Sequence, residues 1–305
     1  MLFVMLLFAI VYGVSALATR TSQHIWGDDW AQYVNHARSI AEGRAYADTG
    51  YMFNPHRPNI GPAMYPPATA LLFAPLMGDG KVDVRALKFV PVLCMSLSVL
   101  LVFLLFRSTS ATIGAATAAL FALHPATWTF ANYLVSEAPY IFFSLAALLA
   151  ARLPQRPGSP WHADLPGGIT TGLLVYAATA TRSIGVTLLA AIMLHAIVTG
   201  RWRRPWPWIV LAVAAGSMLL QARLLGSADY SSEIAQRSVA RVFSNLHGYW
   251  GAISQLLPLP GRLSTVVPVL AGILVASGVW AVLSIHGKIA GTRVLKLAGR
   301  LPVEI

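Results

Sequence analysis

Apolar runs recur along the whole chain, at 2–18, 86–106, 111–124, 135–151, 168–181, 183–198, 207–225 and 266–285, with polar breaks between them. A helix crossing a bilayer squarely needs about 20 apolar residues, with about 17 to 25 usual. Several of these runs are shorter, which suits helices that border a water-filled cavity or stop at the interface. The pattern predicts an all-α, polytopic bundle of about eight membrane segments, with residues 1–305 as a single membrane domain.

A different period governs the break that follows the first run. Trp30, Tyr33, Val34, Ala37, Ile40 and Ala41 fall on one helical face, while Gln32, Asn35, Arg38, Ser39 and Glu42 take the other. Gly43 supplies the stop, so the spacing predicts an amphipathic helix over 29–42 lying on the membrane surface. The stretch "NPHRPNIGPAMYPP" then carries five prolines, which deny it regular structure, before the apolar residues 68–77 turn back toward the bilayer. A second long break, 226–265, repeats the device: Ala235, Val239, Val242, Phe243 and Leu246 make a stripe, with Arg237 and Arg241 one turn apart beside it. In "GGITTG", Gly168 and Gly172 have the spacing that lets two helices approach closely.

Composition supports the membrane reading and excludes another. The chain is 56% hydrophobic and 11% charged, against roughly 45–50% and about 25% in soluble domains. Its net charge of +11 does not point to nucleic acid, because the basic residues sit in short clusters between apolar runs, such as "RWRR" at 201–204. The positive-inside rule explains them. With the N-terminus cytoplasmic, the breaks 107–110, 152–167, 199–206 and 286–300 also face the cytoplasm and hold ten Arg and Lys residues against Asp164, with Glu304 in the tail. The opposite side then receives 19–85, the break near 125–137, a turn at Arg182 and the loop 226–265, with every other acidic residue. The expectation is a plasma (inner) membrane protein with both termini cytoplasmic. Cys94, the only cysteine, has no second thiol to pair with. The first run ends in "SALA", like a cleavage site, but opens "MLFVMLL" without the positive n-region of a signal peptide. An uncleaved first helix is expected.

Against this background two adjacent carboxylates, Asp28 and Asp29, stand just ahead of the amphipathic helix. One of them can cap it, and Asp29, adjoining Trp30, is the better placed. Two neighbouring carboxylates repel, so the second calls for another reason. It can serve as a general base on an acceptor hydroxyl, or the pair can hold a divalent cation. Asp29, Tyr33 and His36 share one side of the helix, so an Asp and His metal pair is open too, beside the plainer reading of a solvated histidine. Glu137, in "YLVSEAPY", either caps the next helix or acts in a site. Arg182, in "ATATRSIGV", either snorkels to the interface or holds a phosphate by paired donors. Tyr65, before two prolines, either packs in an aromatic belt or lines a cavity.

The order of Asp28–Asp29, "AQYVNHARSIAEG", "GPAMYPPATALLFAPL", "SEAPYIFFSLAALL" and "ATATRSIGVTLLAAIML" resembles the GT-C superfamily of integral-membrane glycosyltransferases. The likeness is greatest to bacterial relatives of protein O-mannosyltransferases and lipid A aminoarabinose transferases, over about residues 1–200. Such a resemblance implies a GT-C-like fold and transfer, on the extracytoplasmic face, of a sugar from a polyprenyl-phosphate donor to a lipid, glycan or protein acceptor. It implies an acid of the first outer loop, Asp28 or Asp29, as the base, with Asp28 preferred. Arg182 matches an arginine that holds the lipid phosphate, and Tyr65 matches a cavity-lining group. His56, Arg57, Arg237 and Arg241 are further candidates for phosphate or sugar contacts. No cofactor is required by the motifs, a divalent cation stays open, and the chain is expected to lack a family-typical C-terminal region. Two other readings remain: a transporter or flippase of lipid-linked sugars, and a non-catalytic membrane protein on a degenerate transferase scaffold.

Overall fold

The computed structural model describes residues 1–23, 28–50, 65–78, 82–152 and 164–225, and among these every regular element is a helix. They all belong to one compact unit, Met1–Asp229. The segment 266–285, the stripe with Arg237 and Arg241, and the loop residues His56 and Arg57 lie outside the described residues, as does the side chain of Asp28.

In chain order the helices are α1 (Leu2–Thr19), α2 (Asp28–Ala41), α3 (Pro67–Phe73), α4 (Val84–Leu87), α5 (Phe89–Phe106), α6 (Ala111–Leu123), α7 (Pro125–Asn132), α8 (Glu137–Arg152), α9 (Asp164–Thr181), α10 (Val186–Val198) and α11 (Pro205–Leu225). Three helical stretches are long and apolar enough to cross a membrane: Leu2–Thr19, Val84–Phe106 and Pro205–Leu225. A fourth arises if α7 and α8, bent by 115° at their junction, count as one broken span. Membrane helices are therefore present, but among the described residues they number three or four. The segments expected at 111–124 and 183–198 are helical and short, and α9 mixes Gly and Thr into its apolar sequence.

Local signals explain where the helices start and stop. The Ser110 hydroxyl accepts the Ile113 amide at 3.0 Å and opens α6, and Asp83 Oδ1 accepts the Arg85 and Ala86 amides at 2.9 and 3.1 Å to open α4. Gly43 closes α2 at φ +66°, with the Gly43 amide bonded to the Ile40 carbonyl and the Arg44 amide to that of Ser39. That is the paired closure a left-handed glycine permits. One expectation fails: the break at 125–137 is largely helix α7. Pro125 sits at its first position, where no amide is needed, and His124 Nδ1 accepts the Ala126 amide at 3.2 Å.

Helix α5 is the centre of the packing, touching α1, α6, α7 and α8, with Met95, Val99 and Phe103 buried along it. Helix α9 continues the bundle between α8 and α11. Its glycines do what their spacing predicts: a Cβ on Gly168 would stand 2.8 Å from Ile209 Cβ, and one on Gly172 2.8 Å from Val213 Cβ.

Hydrogen bonds tie the helix ends into two opposite groups. At one end Arg20 Nη1 donates to the Arg85 carbonyl at 3.0 Å, and the buried Lys88 Nζ donates to the carbonyls of Thr21 and Gln23 at 3.0 and 2.9 Å. That end also carries α2, the start of α8 and the turn after α9. At the other, Arg152 Nη1 donates to the Leu105 carbonyl at 2.5 Å, and Arg204 grips Asp164 with two bonds of 2.9 and 3.0 Å. Among the described residues the basic cluster 201–204 thus stands away from the acids of α2.

Candidate functional site

The acid-rich end has a polar core built by three elements. Tyr33, 3% exposed in the middle of α2, donates its hydroxyl to Ser136 Oγ at 3.1 Å. Ser136 lies just ahead of α8 and is also buried; it accepts from Arg182 Nη1 at 3.2 Å. The same nitrogen meets Glu137 Oε1 at 2.5 Å. Arg182 and Glu137 were separate candidates in the sequence, and the fold makes them a pair.

The turn between α9 and α10 sets Arg182 in place. Its backbone is extended, at φ −145° and ψ 131°, and ends α9. The chain then folds back tightly through Ser183–Gly185, where a Cβ on Gly185 would stand 2.6 Å from the Thr179 amide nitrogen. Only glycine allows that approach. Arg182 therefore sits at a helix turn at the bundle end, as the two-segment reading of 168–198 predicts, with about a third of its side chain exposed.

Tyr65 joins the site from the proline turn. Its ring meets Tyr33 edge-on, with centroids 5.8 Å apart, and its carbonyl accepts the Tyr46 hydroxyl at 2.7 Å. His36 behaves differently from a solvated surface histidine. It is fully buried, stacked on Tyr46 at 4.1 Å, and its Nδ1 lies 2.7 Å from the Tyr46 carbonyl. A carbonyl only accepts, so Nδ1 carries the proton. The cause lies beyond Gly43, where the chain packs across the polar side of α2. Ser39 Oγ donates to the Asp48 carbonyl at 2.5 Å, and Thr49 Oγ1 to Gln32 Oε1 at 3.4 Å. Gln32 and Ser39, expected in solvent, are buried.

The two acids also differ from expectation. Helix α2 begins at Asp28, so Asp29 stands inside the first turn rather than ahead of it. From there the Asp29 carboxylate favours the positive end of the helix dipole. Asp29 is exposed, and its charge acts on Tyr33 one turn further along. Trp30 closes this side against Tyr133, with centroids 5.2 Å apart. Among the described residues, no group of three or more His, Cys, Asp or Glu side chains converges as a metal site would.

Burial pushes the Tyr33 phenol up to about 12, with the Ser136 bond opposing and Asp29 adding to the rise. Burial also raises Tyr46. A group with a raised folded pKa contributes stability that is intact below its unfolded value, near 10, and lost as pH rises toward 12. Tyrosinate absorbance should therefore show Tyr33 and Tyr46 ionising above the ordinary tyrosine value near 10, together with a fall in stability above pH 10. Ionisation of all tyrosines together near pH 10, in folded protein, would contradict the buried Tyr33–Ser136 bond.

Of the candidate residues, the structure thus gathers Tyr65, Glu137 and Arg182 around Tyr33, beside the first turn of α2 that carries Asp29. Tyr33 and Ser136 are the linking groups that the sequence did not single out. The "SE" pair opening α8, with its hydroxyl next to a carboxylate, is the signal that was there. No protein-family model, curated protein or solved structure matches this chain.

Proposed function

We propose that the protein is a membrane glycosyltransferase of the GT-C type, moving a sugar from a polyprenyl-phosphate donor to an acceptor hydroxyl on the extracytoplasmic face. The observation that carries this reading is the Arg182–Glu137–Ser136 cluster, which lies at the same bundle end as the acids of α2. In the proposed step one Asp of the pair takes the acceptor proton and the acceptor oxygen attacks the anomeric carbon. The bond from that carbon to the phosphate oxygen breaks, and the polyprenyl phosphate leaves as an anion. A positioned base contributes about 10²–10⁴ in rate. Arg182 stabilises the departing phosphate, for which a guanidinium fork is suited.

The distribution of charge favours this reading over transport. A transporter is expected to hold ionisable groups near the membrane midplane. Among the described residues, the two buried charged side chains, Lys88 and Asp164, are at helix ends.

The test uses purified protein and a radiolabelled polyprenyl-phosphate sugar. Asp28→Asn and Asp29→Asn should differ sharply, with Asp28→Asn the more damaging, and at least one should lower turnover tenfold or more, within the range for a lost base. If neither does, the base assignment is wrong. A cysteine placed at position 28 should react with an impermeant reagent only from outside the cell; labelling from the cytoplasm would remove the mechanism along with the topology. Translocation of the lipid without transfer would favour the flippase reading.

A further inference from the structure

A second feature of the acid-rich end is independent of Arg182 and of the transfer reaction. Helices α1 and α5 flank an apolar groove of about 240 Å³. Leu6, Ile10 and Val14 line one wall at four-residue spacing, and Phe89, Leu93 and Leu97 line the other in the same way. All six are more than a third exposed, so the walls are splayed rather than closed. At the floor the helices nearly touch: a Cβ on Gly13 would stand 2.6 Å from Ser96 Oγ.

The groove's length and apolar lining point to its occupant. From Leu6 to Leu17 it runs roughly 16 Å at 1.5 Å per residue, close to the half-thickness of a hydrocarbon core of about 30 Å. Its lining is apolar along this whole length, as one acyl chain of a leaflet requires.

The mouth of the groove is cationic. Arg20 follows Leu17 by three residues and Arg85 precedes Phe89 by four, so both extend the groove's walls past its open end. The bond from Arg20 Nη1 to the Arg85 carbonyl brings the two residues together and uses one of five guanidinium donors. Lys88 adds a third cation below, held by the carbonyls of Thr21 and Gln23. The neighbouring carboxylate, Asp83, is engaged by the first amides of α4.

We infer that the α1–α5 groove is a seat for a bilayer phospholipid with an anionic headgroup, one acyl chain lying in the groove and the phosphate meeting Arg20 and Arg85. The recognition has two separable parts. The apolar walls hold any chain of suitable length, and the two arginines select the anionic headgroup over a zwitterionic one.

Native mass spectrometry of the full chain, released from detergent with matched phosphatidylglycerol or phosphatidylcholine, tests both parts. The wild type should retain phosphatidylglycerol roughly tenfold better, the order expected for two arginines at an anionic headgroup. Arg20→Gln with Arg85→Gln should bring that ratio to within about twofold, and Arg20→Lys with Arg85→Lys should restore most of it. Ile10→Trp with Leu97→Trp, at exposed rim positions, should lower retention of both lipids while circular dichroism stays helical. The inference is overturned if the glutamine pair keeps the preference or if the tryptophan pair retains both lipids. It is equally overturned if the wild type is released as a pair of copies that the tryptophan variant separates, or if, with a polyprenyl phosphate offered as a third lipid, that lipid alone responds to the arginines.

Discussion

Arg182→Ala is expected to lower sugar transfer by about 10²–10³, the loss typical of removing one donor aimed at developing charge, while the bundle stays folded. In the structure Arg182 meets Ser136 and Glu137 through a single nitrogen, Nη1. A guanidinium has five N–H donors, so this bracing is compatible with a second, bidentate grip on a phosphate. Glu137 offsets the arginine charge in the resting site and fixes its direction, which makes Glu137 a positioning residue. Glu137→Gln should therefore cost less turnover than Arg182→Ala and raise KM for the donor more than it lowers kcat. Arg182→Lys keeps the charge without the fork and should recover only part of the activity. A brace with no part in the reaction would behave otherwise: Arg182→Ala would leave turnover within threefold of wild type and would shift the Tyr33 titration instead.

The reach of the sequence follows the range of the physics behind each feature. The helix over 29–42 and its stop at Gly43 are local, set by a face of apolar residues and one left-handed glycine, and the structure gives α2 as Asp28–Ala41. The turn at Arg182 was legible for a similar reason, since 31 residues of apolar sequence around one charge divide more readily into two helices than one. The Glu137–Arg182 pair spans 45 residues and depends on α8 and α9 lying side by side, which no periodicity encodes. Burial of His36 depends on the return of 44–50 across α2. Helix α7 was legible and overlooked, because a proline at a first helical position opens a helix as readily as one inside breaks it. Asp164 read as a lone acid among cytoplasmic bases, whereas its partner lies 40 residues further on.

That pair carries the largest expected effect on stability. Asp164 is 1% exposed in the first turn of α9, and both of its oxygens are bonded by Arg204, which stands just ahead of α11 and is 29% exposed. The bonds raise the already high pKa of Arg204 further. The asymmetry in burial predicts an order. Removing the arginine leaves a carboxylate charge in a dry site, and an uncompensated buried charge is among the costliest defects a fold can carry. Removing the carboxylate charge leaves a guanidinium that water already reaches. In thermal unfolding in detergent, Arg204→Ala should thus lower the melting temperature by more than Asp164→Asn. The double variant Arg204→Ala with Asp164→Asn should recover much of that loss, since neither charge is then stranded. Because α9 and α11 are also joined along Gly168 and Gly172, the Arg204→Ala defect should loosen that contact as well. A reversed order of the two single variants would contradict the burial asymmetry, and a melting temperature unchanged by Arg204→Ala would show that the pair adds nothing to the hold of α9 on α11.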